Sequence, residues 1–300
     1  MFSGSRITVG VLGVTLLSGG LIVGTTAAHA DVYWTTMSTI GTADSDGDGA
    51  NPKFIKKRAV APDALAVSGN HLYWASSGNV KRGSIGRSRL DGTRANPAYL
   101  PGIRSPLGLA VSDSYLYWSH GSKISRAKLG KGAARNVSAN FISGLPSGTT
   151  SLVVDSQHIY WIGSSTSGLA TIGRANLDGS GVDSDFIAAD ANITGLAIDS
   201  DHLYWSRTDS KTTTIVRSDL AGGNITDLVT GLPKHLYMGI GVNSKYIYWT
   251  APGLWSGLKS VMGRANLDGS SPDQQFLSGS QLVPGGSSWQ TMLPGLAVTD

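Results

Sequence analysis

The 300-residue chain contains no cysteine and no glutamate. Without cysteine there can be no disulfide framework and no lipid attached through a cysteine, so the core alone must hold the fold. Without glutamate, all 20 acidic residues are aspartate. The chain therefore lacks a good helix former and keeps a turn former. Glycine, another turn former, is abundant at 40 residues. This composition argues against a helical protein and for many strands joined by tight turns. Past residue 30 there is no long apolar run, and so no candidate for a membrane-spanning helix.

The one long apolar run is at the N-terminus. Arg6 precedes "ITVGVLGVTLLSGGLIVG", which stops at "TTAAHA", a small-x-small cleavage pattern. Residues 1–30 read as a signal peptide, and residues 31–300 as a single secreted, extracellular domain with no stable membrane insertion after cleavage. An exported chain without cysteine fits bacterial export better than a disulfide-framed animal ectodomain.

Net charge is only +4, but it is unevenly spread. Residues 31–140 hold 15 Lys/Arg and 7 Asp, and residues 141–300 hold 8 and 13. The basic half includes "KFIKKR" and "ISRAKLGKGAAR". A basic flank can meet an acidic polymer. Aromatic residues do not alternate with these charges as they do in single-strand binders, so no specific nucleic-acid partner is expected.

Beneath this composition lies a repeat. Tyr-Trp occurs six times, at 33–34, 73–74, 117–118, 160–161, 204–205 and 248–249, spaced by 40, 44, 43, 44 and 44 residues. An apolar stretch such as "GLAVSDSYLYW" leads into each later pair, and a segment such as "IGRANLDGSGVDSDFI" follows. Each unit reads as four short strands: "GLAV", "HLYW", "IGRANL", and one ending in "FI" or "FL". Asp-Gly between the third and fourth is a strong hairpin signal. Four strands per 40–45 residues is the period of a propeller blade. The expected fold is all-β, a six-bladed β-propeller of four-stranded antiparallel blades. The first unit starts at a second strand, "DVYW", and the chain ends on a first strand, "GLAVTD". The C-terminal strand is thus expected to complete the N-terminal blade and close the ring.

These units resemble the YWTD propeller, the class B repeat of low-density lipoprotein receptors and their bacterial relatives. The resemblance spans nearly all of residues 31–300 and rests on the Tyr-Trp pairs, the "IGRANLDG" strand and turn, and the "GLAV" strand. It implies a toroid that displays loops to proteins or other extracellular ligands. The family's Thr-Asp after Tyr-Trp is largely replaced: Thr35-Thr36, Ala75-Ser76, Ser119-His120, Ile162-Gly163, Ser206-Arg207 and Thr250-Ala251 stand there. Receptor biology is therefore not carried over.

Several residue sets invite a functional reading. Arg87, Arg126, Arg174, Arg217 and Arg264 share one repeat position, which Thr42 occupies in the first unit. Such a set suits structural hydrogen bonds better than an anion site. His71, His158 and His202 share another position with Tyr115 and Tyr246, and the tyrosines point to packing beside a turn. Asp44, Asp46 and Asp48 in "ADSDGDGANPKF" open like a calcium loop. Ile55 stands where such a loop wants its last carboxylate, and Asp46-Gly47 aligns with the hairpin pair Asp178-Gly179. Tyr237, Trp255 and Trp289 lie outside the repeat rule and are the candidate ligand-binding residues. No residue set nominates a catalytic centre, and no cofactor is implied. The reading is a monomeric binding or scaffold module for an extracellular protein or cell-wall polymer. The alternative is a secreted lyase or hydrolase with an Asp-based site at one mouth of the channel.

Overall fold

The structure, a computed structural model, describes residues 32–56, 62–79, 82–146, 148–165, 168–189, 191–234, 238–251, 260–284 and 292–300. They form six four-stranded antiparallel sheets. Blade 2 runs through Pro62–Ser68, His71–Asn79, Arg82–Arg89 and Asn96–Ile103 in spatial order. Blade 3 follows with Leu109–Val111, Tyr115–His120, Lys123–Lys128 and Arg135–Ser143. Blades 4, 5 and 6 begin at Thr150–Val154, Asn192–Ile198 and Ile240–Val242 and repeat the plan. Blade 1 is composite. Its strands Val32–Thr36, Thr39–Ala43 and Asn51–Lys56 take their first strand from Met292–Val298. The expected closure is present, with Val32, Tyr33 and Trp34 facing Val298, Ala297 and Leu296. The chain end is also held by blade 6, where Asp300 Oδ1 accepts from Ser244 N at 2.6 Å and Thr299 O accepts from Asn243 Nδ2 at 3.3 Å.

The Tyr-Trp pair explains why blades join. Successive strand residues point to opposite faces, so Tyr and Trp face different neighbours. All twelve are at most 3% exposed. The core is accordingly divided into six clusters, each built from one blade's Tyr and the next blade's Trp. Tyr33 packs with Trp74, Tyr73 with Trp118, Tyr117 with Trp161, Tyr160 with Trp205, Tyr204 with Trp249, and Tyr248 with Trp34. Burying one such ring contributes about 4–6 kcal/mol before entropy costs. In four blades the indole lies over a glycine directly across the ladder: Gly41, Gly86, Gly173 or Gly263. A Cβ there would fall inside the ring. Blades 3 and 5 carry Ser125 and Val216 at this position.

A second set of contacts binds the rim. Arg126 Nη1 donates to Leu177 O at 3.1 Å, Arg217 Nη1 to Leu267 O at 3.2 Å, and Arg87 Nη1 to Gly130 O at 2.9 Å. Arg264 Nη1 donates likewise to Ser45 O. Each acceptor is on the outer hairpin of the next blade. The guanidinium also sits over a fourth-strand ring, 4.0 Å from Phe141 for Arg126 and 3.9 Å from Phe186 for Arg174. Arg87, Arg126, Arg217 and Arg264 therefore act as clasps between blades. Thr42 cannot reach so far, and at that junction Tyr33 Oη donates to Leu90 O at 3.1 Å.

Candidate functional site at the channel mouth

The six first strands surround a channel with a cavity of about 550 Å³. Along each strand the residue opposite Trp is fixed in type: Leu65, Leu109, Leu152, Leu196, Ile240 and Leu296. The next is small or β-branched: Ala66, Ala110, Val153, Ala197, Gly241 and Ala297. Two residues before the fixed Leu or Ile, at one mouth, the pattern breaks. Asp63, Leu107, Thr150, Thr194 and Met238 stand there, all of them lining the cavity. Packing dictates the wall, and this level is where the blades differ.

In four blades the start of the first strand is set by the residue after Trp. Ser119 Oγ accepts from Gly108 N at 2.8 Å, Ser206 Oγ from Gly195 N at 2.9 Å, Thr250 Oγ1 from Gly239 N at 2.8 Å, and Thr35 Oγ1 from Gly295 N at 3.1 Å. Blades 2 and 4 have Ala75 and Ile162 in that place, and Ala64 and Ser151 at the repeat position of the glycine. The hydroxyl and the glycine thus occur together or not at all within this chain. That pairing was legible in the repeat alignment, in the very positions where Thr-Asp is lost. What the hydroxyl does required the fold.

Blade 2 fills this gap with a charge. Asp63 Oδ2 accepts from Ser77 N at 3.1 Å. Burial pushes its carboxyl above the usual range, against the opposing pull of the Ser77 hydrogen bonds. Among the described residues it is the only ionisable group on the cavity wall, and none of the described cations forms an ion pair with it. Among the described residues Asp63 is the carboxylate that lines the channel. Asp63 was not singled out from sequence, because it sits inside a repeat strand and nothing local marks it.

Leu107 (42% exposed), Met37 (54%) and Leu169 (55%) lie on connections at the same mouth. The candidate binders Tyr237, Trp255 and Trp289 fall in segments 235–237, 252–259 and 285–291, outside the described residues. Those segments join strands whose described ends lie at this mouth.

The remaining candidates have structural roles. Asp44 N donates to Asp48 O at 3.1 Å and Gly47 N to Asp44 O at 2.9 Å, the same closure that Asn176, Gly179 and Ser180 make in blade 4. Asp44, Asp46 and Asp48 therefore belong to an outer hairpin at the opposite mouth. Ile55 is a buried strand residue. Among the described residues no three His or Asp side chains are grouped to hold a metal. His71, His158 and His202 each pack on the tyrosine two residues later, with ring centroids 5.9 to 6.2 Å apart. Tyr115 and Tyr246 do the same on Tyr117 and Tyr248. Asp155 and Asp199 cap the adjoining turns, accepting from the backbone N–H of His158 and His202 and from the hydroxyls of Tyr160 and Tyr204. Burial and these carboxylates raise both phenols well above the ordinary tyrosine value.

The fold recurs in solved structures. A chain in the crystal structure of a nidogen/laminin complex matches with a TM-score of 0.67 and 18% identity, over 90% of this chain and 98% of that one. TolB from Acinetobacter baumannii matches with a TM-score of 0.62 and 13% identity, over 90% of this chain and 67% of the other. At such identities the likeness shows the fold alone. No family model and no curated protein matches the chain.

Proposed function

We propose that the protein is a secreted β-propeller of the YWTD type that serves as an extracellular binding or scaffold module. Its partner, a protein or a cell-surface polymer, meets the ring at the Asp63 mouth. The observation that carries this reading is the one level of the channel wall where Asp63, Leu107, Thr150, Thr194 and Met238 replace the repeat pattern. A scaffold serving stability alone has no reason to vary there, while a recognition surface is made of such differences. Leu107, Met37 and Leu169 supply exposed apolar contact at that end. The structural likeness to a chain in a nidogen/laminin complex favours a protein over a polymer as the partner. The protein acts as a monomer, exported after removal of residues 1–30.

The test is capture from the surface fraction of the secreting cell. Leu107→Asp with Leu169→Asp should abolish capture. Val182→Asp with Ile225→Asp, on exposed residues beside the outer hairpins of the opposite mouth, should leave it intact. The reverse pattern would move the site to the other mouth, and equal capture by both variants would remove the mouth from the argument. N-terminal sequencing of exported protein should begin at Asp31, and any other start would refute the cleavage site.

A further inference from the structure

We infer that the channel is a binding site for a small organic monocation: an amine with an apolar body, its ammonium against Asp63 and its hydrocarbon between the first strands. Three features of the channel carry this. The cavity of about 550 Å³ falls in the range of about 300–1,000 Å³ that accommodates small ligands. Its wall is mainly aliphatic, with Val67, Val111, Val154 and Ile198 contributed by blades 2 to 5, and hydroxyls at Thr150 and Thr194. Among the described residues a single carboxylate, Asp63, lines that wall. It holds the hydrogen bond from Ser77 N, and among the described residues no cation pairs with it.

The chemistry follows from these facts. A partly desolvated carboxylate in an apolar channel is costly until a positive charge joins it, and the low local dielectric strengthens that pairing. One carboxylate balances one charge. A calcium ion needs six to eight oxygen ligands, which the wall does not supply. An anionic ligand would face repulsion at the mouth, and a neutral one would leave the carboxylate uncompensated. The site does not depend on which macromolecule docks outside, so failure of the capture experiment leaves it standing, and the reverse also holds.

The experiment is calorimetric titration of the purified protein with 2-phenylethylamine, 2-phenylethanol and 3-phenylpropionate, three probes of similar body and different charge. The amine is expected to bind, the alcohol at least about tenfold more weakly, and the carboxylate not at all. Asp63→Asn, which keeps the acceptor for Ser77 N, should lower amine affinity at least about tenfold and erase the preference over the alcohol. Ala66→Phe, which narrows the channel and leaves Asp63 in place, should weaken the amine as well. Melting curves must show both variants folded; should Ala66→Phe unfold, the Asp63→Asn comparison decides alone. Amine binding unchanged in Asp63→Asn, equal binding of amine and alcohol, or no binding of the amine at millimolar concentration would each overturn the proposal.

Discussion

Blades 5 and 2 are built on one plan and differ at one end. In blade 5, Ser206 follows the tryptophan and ties Gly195 N, with Thr194 Oγ1 2.9 Å from its hydroxyl. In blade 2, Ala75 follows the tryptophan, Ala64 replaces the glycine, and Asp63 takes the place of Thr194. Its carboxylate turns to Ser77 N instead. The rest of each blade is held alike, with Trp205 and Trp74 buried and Arg217 and Arg87 clasping the next hairpin. The contrast teaches that the ring tolerates change at the inner end of a blade because its stability is carried further out. A strand start freed from its hydroxyl tie can take a side chain of another kind, here a carboxylate that accepts from Ser77 N.

That comparison can be broken in four ways. The largest effect is expected from Trp205→Ala and Trp74→Ala, each losing about 3–5 kcal/mol in chemical denaturation, because both rings fill an inter-blade core. A difference of more than about 2 kcal/mol between them would mean that the blades are not equivalent in their cores. Next is Ser206→Ala, which leaves Gly195 N without its partner and should cost about 1–3 kcal/mol. Ala75→Ser in blade 2 should gain nothing comparable. If the two changes were symmetrical, the tie would not be what distinguishes the blades.

The third is a pH effect. The folded Asp63 carboxyl titrates above its unfolded value of 3.8, so the folded state holds the proton more tightly. Its contribution to stability is fully present below that value and is lost as pH rises through the folded pKa. Asp63→Asn should therefore melt higher than the parent at pH 7, and the gap should close as pH falls through the carboxylate range. A gap that widens on acidification would reverse the sign and show Asp63 to be stabilised by a partner. The smallest effect is at the outer hairpins, where in five blades the residue two places after the turn glycine is also left-handed: Gly49, Arg94, Gly181, Asn224 and Ser271. In blade 2 this is Arg94 at φ 55°, and in blade 5 Asn224 at φ 52°. Asparagine tolerates that conformation better than arginine does. Arg94→Gly should then raise stability by up to about 1 kcal/mol, and Asn224→Gly by a few tenths. Equal gains, read from thermal melts, would deny the difference.

Much of the fold was legible because it repeats. Six Tyr-Trp pairs in register announced six blades, "GLAVTD" and "DVYW" announced the closure, and Asp178-Gly179 explained Asp46-Gly47 as a turn. The arginines could be read as structural, but not their acceptors, since Leu177 O and Ser45 O come from the next blade and bear no sequence signal. The candidate site was less legible. Tyr237, Trp255 and Trp289 were nominated as departures from the repeat and lie outside the described residues. Asp63 was passed over because its neighbours in sequence are ordinary strand residues.

What this sequence determined by itself is local and periodic: where strands run, where they turn, which face each aromatic takes, and how many units there are. Alternation, turn chemistry and repetition are written along the chain. Only the tertiary structure decided which side chains meet across the ring. The channel that gathers Asp63, Leu107 and Thr150 on one wall exists only once strands from all six blades surround one axis, and no spacing along the chain encodes that meeting.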